Sequence, residues 1–176
     1  MNRLVKGAII TLLIGGGAYT VSHSDVVKHF AADTGLTQEQ AEQYVNEINE
    51  DELVSFDQMG SDFITDGQKL LNSSSEVDCA NYVYEWESTV MSCLEGKAQL
   101  AKLAQDSTAL GQAYTKLASD SASRDDISNT IRLIDQLNVD FQLEIVNVAL
   151  DWATVDEARK TNSYNKAILK AALESE

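Results

Sequence analysis

The sequence predicts an all-α protein, a helical bundle built on a long antiparallel helix hairpin (about 76–122 and 125–160) covered by shorter N-terminal helices. Three observations predict it. Apolar residues recur at three- and four-residue spacing through the second half of the chain, the period of a helix with one buried face. None of the 176 residues is proline, which breaks helix interiors and is common in loops and at sheet edges. The interruptions of the periodic stretches carry helix-capping residues. The length is enough for one domain with a real core.

Residues 1–24 read as a signal peptide or N-terminal membrane anchor. Arg3 and Lys6 precede an uncharged, mostly apolar run from Gly7 to Val21, and the first acid is Asp25. The run is shorter than the roughly 20 residues a bilayer-crossing helix needs, and Gly15-Gly16-Gly17 weakens it further. Ser22-His23-Ser24 places small residues at the third and first positions before a cut. Residues 25–176 then form a single exported helical domain, with acidic short helices over 25–72 and the long hairpin and a C-terminal helix over 76–176.

The first helix runs from Val26 to Ala32 and stops at Asp33-Thr34-Gly35, glycine suiting a left-handed cap. Thr37 with Gln40 fits a capping box, and Leu36, Ala41, Tyr44, Val45 and Ile48 trace the apolar stripe of the next helix. The stretch Val26-Val27-Lys28-His29-Phe30-Ala31-Ala32-Asp33-Thr34-Gly35-Leu36-Thr37 is similar to the first helical hairpin of histone-like DNA-binding proteins. That resemblance implies a capped helical hairpin. The run from Glu47 to Glu52 that follows is acidic where a DNA binder carries bases, so it implies no nucleic-acid function. A third helical stretch, roughly 51–72, carries Phe56, Met59, Phe63 and Ile64, and Asn72-Ser73-Ser74-Ser75 reads as a loop.

The positions Cys79, Tyr82, Trp86, Thr89, Cys93, Gly96, Leu100, Leu103, Ser107, Leu110, Tyr114, Leu117 and Ser121 alternate strictly by threes and fours, one seam of one long helix. Ser123-Arg124-Asp125-Asp126 supplies an N-cap with acids in the first turn. The second long helix follows with Ile127, Ile131, Ile134, Asn138, Phe141, Ile145, Val148, Trp152 and Val155 in its stripe. Thr161-Asn162-Ser163 reads as an interruption before a final helix over 164–173.

Cys79 and Cys93 are the disulfide candidate. On one straight helix the 14-residue step spans about 21 Å, whereas a disulfide requires α-carbons within roughly 7 Å. Three resolutions stand open: the chain bends between them, the thiols stay reduced, or they cross-link two chains. A bend is favoured, with residues 78–81 folding back beside a helix that starts near Tyr82, because an oxidising compartment drives closure.

Catalytic chemistry is thinly represented. His23 and His29 are the only histidines, and neither stands at a telling distance from a nucleophile or another ligand, so no metal site and no cofactor is expected. Glu47, Glu50, Asp51 and Glu52 lack the alternating ligand pattern of a calcium loop. The balance of 28 acids to 13 bases, net -15, disfavours nucleic acid and anionic lipid surfaces, leaving the membrane only the N-terminal segment. The expectation is a non-catalytic extracytoplasmic bundle that binds a protein partner or self-associates in an assembly. Tyr82, Trp86, Tyr114 and Trp152 are its partner or ligand face. The alternatives are a small-ligand or cation-binding bundle and, behind it, an enzyme working with carboxylates alone.

Overall fold

The computed structural model describes residues 9–48, 55–80 and 92–175. Among them are seven helices and a two-stranded sheet, in the order β1 (Ile9–Ile14), β2 (Gly17–Ser22), α1 (His23–Thr34), α2 (Gln38–Glu47), α3 (Phe56–Glu76), α4 (Cys93–Ala118), α5 (Arg124–Asp140), α6 (Glu144–Ala149) and α7 (Trp152–Glu174). The protein is an all-α helical bundle.

Residues 9–22, within the segment read as a leader or anchor, fold in this chain as an antiparallel hairpin, with Ile10 opposite Val21 and Leu12 opposite Tyr19. Gly15 and Gly16 make the two-residue turn with φ of 61° and 71°, the left-handed conformation that matches the twist of a hairpin and that glycine adopts without strain. Leu12, Ile14 and Val21 are buried in the common core. Gly15 N donates to Leu117 O at 3.3 Å, and a Cβ on Gly15 would lie 2.4 Å from Ala122 O. The turn thus butts against the end of α4. Ser22, the last residue of β2, is also the N-cap of α1, accepting from Asp25 N at 3.2 Å, so a cut after Ser24 would remove both strands and that cap.

Several capping signals form as expected. Gly35 ends α1 in the left-handed conformation, Thr37 and Gln40 complete a capping box on α2, and Ser123 with Asp126 completes another on α5. A fourth helix start, Ser92 with Glu95, opens α4, so the seam expected from Cys79 begins in this helix only at Cys93. From there it holds: Gly96, Leu103, Ser107, Leu110, Tyr114 and Leu117 are all buried.

The expected long hairpin of 76–122 with 125–160 is broken up differently. α5 ends at Asp140, α6 is a single short helix, and α7 starts at Trp152. α7 runs through Thr161-Asn162-Ser163 without a break, because Asn162 is satisfied across the bundle by donating to Asn138 Oδ1 at 3.1 Å. Asn72–Ser75 is likewise helical, the last full turn of α3, with Ser74 buried and its hydroxyl donating to Lys97 O at 3.1 Å.

The helix pair packed most closely is α3 with α4. Gly60, Gly67 and Ser74 recur every seven residues on α3 and are its buried positions. A Cβ on Gly60 would stand 2.3 Å from Thr115 Oγ1 and 2.8 Å from Gly111 O, and one on Gly67 2.3 Å from Thr108 Oγ1 and 2.8 Å from Ala104 O. The reverse order of these partners makes the pair antiparallel. Thr108 and Thr115 donate back to the carbonyls of Ala104 and Gly111 at 2.8 and 3.1 Å, which lays each hydroxyl against a glycine. Ser107, a polar member of the seam, donates to Phe63 O across the pair at 3.0 Å. Around this pair α5 and the C-terminal half of α7 complete the core with Ile127, Ile134, Leu137, Ala167, Leu169 and Ala172. α1 packs antiparallel on α7.

Candidate functional site

Cys79 and Cys93 form a disulfide with α-carbons 5.6 Å apart. Cys79 follows the end of α3 and Cys93 is the first residue of α4, so the bond ties the two ends of the hairpin together. The 21 Å conflict disappears because the cysteines do not share one helix: Cys79 lies beyond the end of α3 and Cys93 opens the antiparallel α4. Such a bond is compatible with an oxidising extracytoplasmic compartment, and among the described residues no helix is long and apolar enough to cross a membrane.

Of the four aromatic residues expected on one face, two are described, and they are placed differently. Tyr82 and Trp86 lie outside the described residues. Tyr114 is a core residue, fully buried, with its ring stacked between Phe56 and Phe63 at centroid distances of 5.9 and 5.7 Å. Burial pushes its hydroxyl pKa up, against a smaller opposing effect of the Asn165 amide. The helical period that put Tyr114 on a face is correct, but the face is the one α3 covers. Trp152, by contrast, begins α7 with 78% of its surface exposed.

Trp152 immediately precedes Ala153, the first α7 residue that lines an open groove of about 610 Å³. One wall is a face of α7, formed by Ala153, Thr154, Glu157, Ala158, Thr161 and Asn162, whose spacing is that of adjacent rows along a helix. Phe63 of α3 and Phe141, the residue after α5, supply the other walls. Asp151 caps α7 by accepting from Thr154 N at 3.0 Å and Thr154 Oγ1 at 2.7 Å, which fixes where the groove begins. Leu150 and Val139 are exposed nearby in sequence, so three of the large exposed apolar side chains fall within residues 139–152. Tyr44 of α2 donates to Glu157 Oε1 at 3.0 Å, and burial, reinforced by that carboxylate, raises the Tyr44 pKa to about 12.

Two charged networks lie in the helix interfaces. Lys166 is buried and pairs with Asp33 at 2.8 Å and with Asp135, while Lys170 reaches Asp33 at 3.0 Å, joining α1, α5 and α7. Burial works to lower the Lys166 pKa, but the hydrogen bonds to Asp135 and Asp33 outweigh it and raise the value. The second network holds two carboxylates against one ammonium. Lys102 pairs with Asp106 at 2.7 Å and with Asp140, and Gln136 Nε2 donates to Asp140 Oδ1 at 3.3 Å. Burial and the neighbouring Asp106 hold the Asp140 carboxyl above its ordinary value, against the pull of Lys102. Burial also opposes ionisation of Asp106, but hydrogen bonds from Asp140 and Lys102 and the charge of Arg132 lower its pKa. Both networks join helices, and each side chain is oriented towards its partner helix.

The groove was not legible as a site in the sequence: of its lining only Phe141 stands in the apolar stripe of the expected second long helix, which in the structure is divided into α5, α6 and α7. No family model, curated protein or solved structure matches this chain.

Proposed function

We propose that the protein is a non-catalytic binding or assembly component that holds a protein partner in an oxidising extracytoplasmic space, through the groove along α7. The observation that carries this reading is the conjunction of an open, largely apolar groove along α7 with exposed Trp152 next in sequence to its first α7 residue, Ala153. Leaving that ring in water costs apolar burial that an interface recovers, and tryptophan is among the residues that dominate binding energy. The Cys79–Cys93 bond supports the compartment. An exported location and targeting by the N-terminal segment belong to the same proposal.

A photo-crosslinking residue at position 154, in cells that make the protein natively, tests it. A discrete protein adduct is expected from position 154 and not from position 94, whose leucine is 70% exposed on α4 and does not line the groove. No adduct, or the same adduct from both positions, contradicts the reading. The volume of the groove also falls within the range of small-molecule sites. A small apolar ligand is therefore the second reading, and it predicts no protein adduct at either position.

A further inference from the structure

Resting on the reading of the groove as a docking face, we propose that its occupant is an amphipathic helix of a partner protein, with an apolar stripe flanked by Lys and Arg. Its shape comes first. The α7 wall extends from Ala153 to Asn162, nine residue steps or about 13–14 Å, somewhat longer than the roughly 10.5 Å between positions i and i+7 of a docked helix. Its walls are helix faces whose backbone hydrogen bonds are already made within α3 and α7, so an extended segment has no strand edge to join. A helix, which satisfies its own backbone and presents only side chains, meets that requirement.

Charge selects the flanks. Residues 144–160, which carry α6 and the start of α7, contain Glu144, Asp151, Asp156 and Glu157 against Arg159 and Lys160. Lys160 and Asp156 neutralise one another at 2.7 Å, which leaves Glu144, Asp151 and Glu157 against Arg159, and the Glu157 carboxylate stands in the groove wall itself. A second copy of this chain brings a net charge of -15 to the same face, which works against self-association there. A basic helix gains from the same field, both in encounter rate and in choice of partner.

The test uses the full-length oxidised protein and a labelled synthetic helix of about 14 residues, roughly four turns, with leucines in one stripe and lysines elsewhere. Two control peptides carry glutamate in place of lysine, or the same leucines and lysines in scrambled order. Anisotropy titrations should show saturable binding of the leucine-lysine helix, weakened by salt, and little binding of either control. Ala158→Trp, which fills the groove, should abolish the binding, and Ala153→Lys, which adds a like charge at an exposed wall position, should weaken it about tenfold. Melting curves of both variants establish that they are folded. Equal binding of the glutamate peptide, unchanged affinity in folded Ala158→Trp, or no binding at all overturns the proposal. So does a concentration-dependent dimer lost in Ala158→Trp, which assigns the groove to a second copy, or displacement of the peptide by laurate, which assigns it to a small apolar ligand. A position-154 protein adduct alongside any of these outcomes leaves docking in place and removes only the basic helix. Failure of both experiments removes the docking face itself.

Discussion

Replacing Gly67 by alanine tests how closely α3 and α4 are packed. In an exposed helix the substitution stabilises by up to about 1 kcal/mol, because alanine is the better helix former. Here the new methyl would lie 2.3 Å from Thr108 Oγ1, 2.8 Å from Ala104 O and 3.1 Å from Thr108 N. The first contact is a hydroxyl that donates to its own helix, and the other two are backbone, so relief requires the helices to move apart. Overpacking costs about 1–3 kcal/mol, and two contacts well under 3.0 Å put this site in the upper part of that range, about 2–3 kcal/mol, which leaves a net loss of about 1–2 kcal/mol after the propensity gain. For a chain of this length that lowers the melting temperature by roughly 2–8 °C. Urea unfolding followed by circular dichroism measures it, with an unchanged m-value confirming that the loss is one of stability. The double variant with Thr108→Ala should recover part of the loss, since it removes the nearest atom and leaves Ala104 O in place. A neutral or stabilising Gly67→Ala, or strict additivity with Thr108→Ala, would refute the close approach.

Three further outcomes follow from named contacts. Cys79→Ala with Cys93→Ala should cost about 3 kcal/mol by the chain-entropy estimate for a loop of this size, seen as a lower urea midpoint than that of the oxidised protein. Removing residues 1–24 uncovers the surface covered by Leu12, Ile14 and Val21, each worth about 1.5–3 kcal/mol when fully buried, so the shortened chain should melt well below the full one. Asp140→Asn addresses the carboxylate pair. The Asp140 carboxyl titrates above its ordinary value in the fold, so its contribution is present below that value and is lost as pH rises through the raised one. The wild type should therefore lose stability relative to Asp140→Asn as pH rises above the ordinary carboxylate range, and parallel pH profiles from chemical denaturation would contradict the assignment. Asp106, whose pKa is lowered, acts in the opposite sense and contributes its loss at the acid end.

Local capping chemistry was the most legible part of the fold. Gly35, Thr37 with Gln40 and Ser123 with Asp126 are decided by residues within a few positions of one another, and each forms in the structure. The seam from Cys93 to Leu117 was legible for the same reason, since its period is a property of one helix. Which helix covers that seam was not. The answer lies in Gly60, Gly67 and Ser74, whose seven-residue repeat is a signal of absence, missing side chains that let α4 approach. Because those residues carry no apolar bulk, a stripe sought in large side chains passes over them, and Ser74 reads as part of a loop.

The N-terminal segment carries two signals at once. Arg3 and Lys6 before an apolar run carry the grammar of a leader, yet Gly15 and Gly16 also encode a hairpin turn, with Ile10, Leu12 and Ile14 alternating ahead of it. The candidate site was legible only in pieces. Trp152 is exposed as a partner-face residue must be, while Tyr114 obeys the same periodicity and is buried under α3, because periodicity identifies a face without identifying what lies against it. The groove itself requires Phe63, Phe141 and Ala158 to converge from three parts of the chain, and only tertiary packing brings them together.

The most direct measurement of the binding claim is the native size of the protein in the cell fraction that contains it, compared between the wild type and a folded Ala158→Trp variant by sedimentation. The account predicts that the wild type sediments with a partner at well above the 19.3 kDa of the single chain, and that the groove-filled variant sediments at the mass of the chain alone. A wild type at 19.3 kDa, or a complex that survives Ala158→Trp unchanged, would contradict it.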